Sequence, residues 1–194
     1  AVLLALVLAV VALPSVSGAA GEKVDLRVLV VSAGNRSEDV ALELMARTLD
    51  GMGVPYDVLD SRRQTLTTES LYVNPTYGKY NGIIVTVSDL YQPGGGSGFT
   101  LEEWQLLHQY ERDFGVRESV VSGFPTRDPS LDLDYGMGSV GVLVAANGRW
   151  VGPAGGTESF EYINTANNLS IPAFVFTGTP RGDAVPPVVT PLLV

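Results

Sequence analysis

The stretch RVLVVSAGNRSEDVALEL, residues 27–44, decides the fold. An apolar run ends in a small polar turn, and an amphipathic pattern starts at once. Asp25 to Val31 is rich in β-branched residues and leucine, as expected of a strand buried on both faces. Ser37 offers an N-cap oxygen, with Glu38 and Asp39 in the first turn, where the helix dipole favours anions. Ala41, Leu44, Met45, Thr48, Leu49 and Met52 recur at helical spacing, and Gly51 and Gly53 sit where the helix should stop. Val54 to Leu59 reads as a second strand. The unit is βαβ, which implies parallel strands and a right-handed crossover.

Turns of this kind often cradle a phosphate. Here the turn Ser32 to Ser37 holds one glycine and matches neither G-x-G-x-x-G nor G-x-x-x-x-G-K-[ST]. Glu38 and Asp39 would repel an anion that the helix N-terminus attracts. A hydroxyl-rich neutral ligand is compatible with the turn, because Asn35 and Arg36 can donate hydrogen bonds there.

Beyond this unit, Ser61 to Tyr80 is polar, with Asn74-Pro75 and Tyr77-Gly78 as turn signals. Gly82 to Val87 is a third strand, and it leads into the glycine-rich loop SDLYQPGGGSG. That loop lacks a lysine and is followed by Glu102 and Glu103, so it reads as a flexible cover over the sheet edge. Thr100 and Glu103 form a capping box that opens a second helix. Leu106, Leu107, Tyr110 and Phe114 share one of its faces, and Gly115 ends it. Val116 to Phe124 is a fourth strand. After Pro125 the polar loop TRDPSLDLDYGMG leads to short apolar runs separated by glycines, with Asn147-Gly148 as a hairpin signal.

The expected fold class is therefore α/β: an open, mainly parallel sheet with flanking helices, flavodoxin-like or amidotransferase-like, followed by or containing a β-rich segment. The expected division is a partial signal peptide at 1–20, an α/β domain at 23–125 and a polar loop at 126–138. A β-rich segment at 139–180 follows, then a linker and strand of a truncated domain at 181–194.

The net charge of −9 offers no basic surface for nucleic acid. Ala1 to Leu13 is uninterrupted hydrocarbon, shorter than the ~20 residues of a membrane span, and it precedes Pro14 and a small-residue run. This reads as a signal peptide, so the chain is expected to be secreted, with no membrane contact after cleavage. The chain is expected to be a fragment cut at both ends. It has no cysteine, so an apolar core must hold the fold without disulfides. The sequons Asn35-Arg36-Ser37 and Asn168-Leu169-Ser170 become glycosylation candidates if the source is eukaryotic.

Catalytic constellations are scarce. A cysteine nucleophile is impossible, and the one histidine, His108, lies mid-helix, so zinc sites built from two or three histidines are excluded. Asp128, Asp132 and Asp134 could serve acid–base chemistry or bind calcium, but alternating aspartates equally suit a solvated loop. Trp150, Tyr135 and Tyr162 could stack on sugar rings or fill a core.

Four stretches carry a family resemblance: residues 27–60, YGKYNGIIVT at 77–86, residues 101–136 and the terminal TPLLV. Together they resemble the N-terminal region of secreted microbial polysaccharide deacetylases of the galactosaminogalactan type, carbohydrate esterase family 18 with its carbohydrate-binding module. The α/β part also looks like a class I glutamine amidotransferase without its cysteine and histidine. The first resemblance implies a role with amino-sugar exopolysaccharide. Such esterases use a metal held by one aspartate and two histidines, which this chain cannot match. No catalytic residue, cofactor or metal carries over, and the catalytic domain is expected beyond Val194 in the same polypeptide.

The function expected from the sequence is a non-catalytic module that supports a deacetylase and binds its glycan. The expected ligand-binding residues are Asn35, Arg36, Asp89, Tyr91, Arg127, Asp128 and Tyr135, at the carboxyl edge of the parallel sheet. Two alternatives stay open: a stand-alone hydrolase working through Asp128, Asp132 and Asp134, and a purely structural domain.

Overall fold

The computed structural model describes residues 23–124, 127–143, 146–148, 169–171 and 175–181. The signal-peptide segment, Trp150, Tyr162, Asn168 and the stretch 182–194 lie outside the described residues.

Strand β1 (Lys23–Val24) is followed by β2 (Val28–Ser32), helix α1 (Val40–Met52) and β3 (Tyr56–Asp60). A short helix α2 (Thr68–Leu71) then leads into β4 (Tyr72–Asn74) and β5 (Tyr77–Gly78). Strand β6 (Gly82–Val87), helix α3 (Leu101–Phe114) and β7 (Arg117–Ser122) complete the second crossover. The central sheet is four-stranded in the order β3-β2-β6-β7, and each neighbouring pair is parallel. The βαβ reading of residues 27–59 is thus what the chain forms, and β6–α3–β7 repeats it.

Side chains alternate across a strand, so β2 feeds both faces of the sheet. Val28 and Val30 face α1, packing with Leu42, Leu49 and Ile84. Leu29 and Val31 face the other way, with Ile83 and Val85 of β6, beneath Trp104, Leu107 and Tyr110 of α3. Burial on both faces is why residues 28–31 are continuously apolar.

The helix ends follow local chemistry. Gly53 and Gly115 adopt left-handed conformations with φ of 68° and 62° and close α1 and α3. The Thr100–Glu103 capping box forms as expected. Glu103 also accepts from the backbone N–H of Leu66 at 2.8 Å, which ties the preceding polar segment to α3. The start of α1 differs from expectation. Its N-cap is Asp39, and Ser37 donates its hydroxyl to Asn35 Oδ1 at 2.6 Å.

The fold class also requires correction. Among the described residues the parallel sheet has four strands, and the other strands form small separate sheets. One has the order β1-β5-β4, with β1 parallel and β4 antiparallel to β5. A hairpin joins β8 (Arg127–Asp128) to β9 (Leu133–Asp134). Strand β10 (Met137–Leu143) pairs antiparallel with β13 (Val175–Pro180), and β11 (Ala146–Gly148) with β12 (Leu169–Ile171). Among the described residues there are three helices, and α2 is a single turn. This is neither a flavodoxin-like nor an amidotransferase-like domain. The physical cause lies in the connections. Residues 61–80 lack a helical apolar period, so they form small strands in place of another crossover helix. After β7 the chain turns to antiparallel pairing. Asn147 and Gly148 are likewise not a hairpin turn; they lie inside β11 and face Ser170 and Leu169.

The polar segment still contributes to the core, delivering Leu66, Leu71 and Tyr80 to the α3 side. Tyr110 locks it, accepting from the Tyr80 N–H at 2.7 Å and donating to the Tyr80 carbonyl at 2.6 Å. Gly78 permits this approach, because a Cβ there would lie 2.5 Å from the Tyr110 hydroxyl. Among the described residues no helix is long and apolar enough to cross a membrane.

Candidate functional site

The turn after β2 satisfies itself. Asp39, buried at the N-terminus of α1, accepts from Leu42 N at 3.1 Å with Oδ1. Its Oδ2 accepts from Ala33 N at 3.1 Å and from the Thr86 hydroxyl. Ser61 donates to the Ser32 carbonyl through both its N–H and its hydroxyl, at 3.0 and 2.8 Å. The anion site that a helix N-terminus creates is thus filled by the chain's own carboxylate.

Beside this turn opens a cleft of about 500 Å³. Its floor is Ala33, Val87 and Ser122, at the carboxyl ends of β2, β6 and β7. Ligands in parallel α/β units bind at this edge. One wall is the first turns of α1, where Val40 and Leu44 are exposed apolar side chains. Tyr91 stands on the rim, 56% exposed, so its ring is open to a ligand.

Two charged groups complete the cleft. Arg62 lies 3.7 Å from Glu38, and the Nε of Arg62 is buried with no hydrogen-bond partner among the described residues. Glu38 also takes hydrogen bonds from Arg63 at 3.0 and 3.1 Å and from Asn35 N at 3.0 Å. The Arg63 bond, then the Asn35 amide, hold the Glu38 carboxyl at a pKa of about 2, so it stays anionic in ordinary conditions. An aromatic ring, apolar side chains, an arginine donor and a fixed carboxylate are the equipment of a polar-ligand cleft.

The glycine-rich loop that carries Tyr91 is tied down. Tyr91 bridges to Ser97, Gln92 N donates to Gly96 O at 3.0 Å, and Gly98 N donates to Leu90 O at 2.8 Å. Leu90 is fully buried at φ 50°, an uncommon conformation for leucine, and it anchors the base of the loop. Gly98 is required for fit, since a Cβ would lie 2.2 Å from Ser61 Oγ.

Of the residues expected from sequence, Tyr91 lines the cleft and Asp89 supports it by accepting from Tyr91 N at 3.2 Å. Asn35 folds over its own turn, with Oδ1 accepting from Ser37 N at 2.9 Å. Arg36 turns away, donating to the Tyr56 hydroxyl at 2.9 Å and lying 3.7 Å from Glu43. Tyr135 braces the sheet edge by donating to the Ser88 carbonyl at 2.8 Å, and burial together with the charge of Glu118 raises its pKa. Asp128 accepts from Ser130 N at 2.9 Å, and Arg127 lies 3.7 Å from Asp134.

The three aspartates Asp128, Asp132 and Asp134 are held by different partners. Asp132 faces His108 at 3.4 Å, and Asp134 takes Arg181 at 2.6 Å. Val40, Leu44, Glu38, Arg62 and Ser122 were not singled out as ligand residues. Arg62 carried no signal, because its place depends on how β3's outgoing loop folds back on the turn after β2.

A smaller cavity of about 350 Å³ lies between α2, β4 and Asp113. Its Tyr72 is edge-on to Tyr110 at 5.1 Å and belongs to the aromatic core.

Residues 24–141 match the family model described as Agd3 CBM87, from the end of β1 into β10. No curated protein and no solved structure matches the chain. Because the match covers most of the chain, including the parallel sheet and all lining residues of the cleft at its edge, the protein belongs to the Agd3 CBM87 family of carbohydrate-binding modules.

Proposed function

We propose that this chain is the non-catalytic glycan-binding module of a secreted polysaccharide deacetylase, and that the cleft beside α1 takes amino-sugar exopolysaccharide. The observation that carries the reading is the cleft itself: an open tyrosine, a partly exposed arginine and an ionised glutamate at the carboxyl edge of a parallel sheet.

Each group has a sugar partner. The Tyr91 ring stacks on the apolar face of a pyranose. The partly exposed Arg62 guanidinium donates to a ring hydroxyl or an acetamide carbonyl. Glu38 attracts the ammonium group of a deacetylated residue, and the net charge of −9 favours such a cationic polymer at longer range. Asp89 and Tyr135 hold the loops that shape the cleft, and Asn35, Arg36, Arg127 and Asp128 keep the flanking turns in place. The leader-like residues 1–20 support export, and the deacetylase resemblance supports a catalytic domain in the same polypeptide.

The test is retention of the purified chain on galactosamine polymers, acetylated and deacetylated. The chain is retained on at least one, and Tyr91→Ala and Arg62→Ala each release it without loss of fold by circular dichroism. Retention on neither polymer, or retention unchanged in both variants, overturns the reading.

A further inference from the structure

On the opposite side of the sheet from the cleft lies a second cluster. His108 and Glu111 stand one turn apart on α3, and Glu118 lies on the edge strand β7. Glu118 is in register with Ile83, whose side chain faces α3, so strand alternation sends Glu118 under the helix as well. His108, Glu111 and Glu118 each offer a ligand atom, and these atoms lie within 4.8 Å of one another.

This arrangement is costly as it stands. Glu111 Oε1 and Glu118 Oε2 are both shielded from water without a hydrogen-bond partner. Two buried carboxyl groups this close are stabilised either by a shared proton or by a cation between them. Asp132 brings a further carboxylate to the same imidazole, its Oδ2 lying 3.4 Å from Nδ1. Where an imidazole binds a metal through one nitrogen, a carboxylate at the other would hold the ring in place.

We propose that His108, Glu111 and Glu118 bind a divalent transition-metal ion, with Zn²⁺ the best match, and that the ion staples α3 to β7. One imidazole and two carboxylates make a borderline donor set suited to zinc, and too poor in oxygen for the six to eight ligands of calcium. Two of the ligands are contributed by one helix and one by an edge strand, so the ion closes a contact between elements. The role is structural, and the site is separate from the glycan cleft.

The experiment uses the full chain, stripped with chelator and titrated with ZnCl₂, with CaCl₂ as control. Calorimetry should show one Zn²⁺ per chain, and thermal unfolding should shift upward with Zn²⁺ but not Ca²⁺. Glu118→Gln removes the uptake and the shift while the metal-free variant melts no lower than the parent, because a buried charge has been removed. Asp132→Ala weakens uptake by roughly 10–100-fold. Co²⁺ bound in place of Zn²⁺ gives a visible absorption band that Glu118→Gln abolishes. No Zn²⁺ uptake by the parent chain, or uptake and shift that survive Glu118→Gln, overturns the assignment; in the first case the pair holds a proton in place of a metal.

Discussion

The two faces of the parallel sheet are built differently. The α3 face is a thick core in which Trp104, Leu107 and Tyr110 are fully buried over Ile83 and Val85, edged by Phe99. The α1 face is thin: Val30, Leu42 and Leu49 are buried, while Val40, Leu44 and Met52 remain exposed. Burial of apolar area stabilises the fold, whereas exposed apolar side chains beside polar groups are available to a ligand. The difference teaches that apolar burial is concentrated on the α3 side of this sheet, while the α1 side leaves apolar side chains open.

The largest effect should come from breaking the thick face. Trp104→Ala removes a fully buried ring that packs on Phe99 at 5.3 Å and donates to Ser97, and it should cost about 3–5 kcal/mol in denaturant unfolding. A smaller loss is expected at the hinge between the faces. Asp39→Ala leaves Leu42 N and Ala33 N without their carboxylate and should cost about 1–3 kcal/mol, with faster amide exchange at both positions.

On the thin face the ranking inverts. Leu44→Ser should change stability by no more than about 0.5 kcal/mol. Tyr91→Ala should be as mild for folding, yet lower affinity for the glycan by at least about 1 kcal/mol in a binding titration. If either variant unfolds the chain, the division of labour between the faces fails.

The smallest effect concerns pH. The Glu38 carboxyl is lowered from 4.5 to about 2 in the folded chain, so its contribution is complete above 4.5 and is lost as pH falls through 2. Comparing melting of the parent with Glu38→Gln from pH 6 to pH 2 should show an advantage that shrinks steadily toward the acid end. Because the group is exposed, the difference should also fall in high salt.

Much of this was legible in the residues, for local reasons. The apolar run of β2, the Thr100–Glu103 box and the glycines closing α1 and α3 act over a few residues, and they form as read. Ser37 misled because serine, glutamate and aspartate in succession all fit a helix start. Asp39 won because only its carboxylate reaches Ala33 N and Thr86 at the strand ends. Asn147-Gly148 misled because a turn propensity is weak against a paired strand, and Leu169–Ile171 supplies that strand. Leu66, Leu71 and Tyr80 were hidden in a polar segment that has no regular period.

The sequence by itself determined where α1 and α3 stop, where α3 starts, which strands alternate with them, and that strand residues such as Val28 to Val31 must be covered on both sides. These are matters of dihedral preference, capping and periodicity within one turn or one strand. Only the tertiary structure decided that the parallel sheet orders its four described strands β3-β2-β6-β7, that Arg62 meets Glu38 beside Tyr91, and that Glu118 comes to lie under His108 and Glu111. Such encounters join residues far apart in the chain, and the geometry that unites them is set by how the packed elements close, which no local pattern encodes.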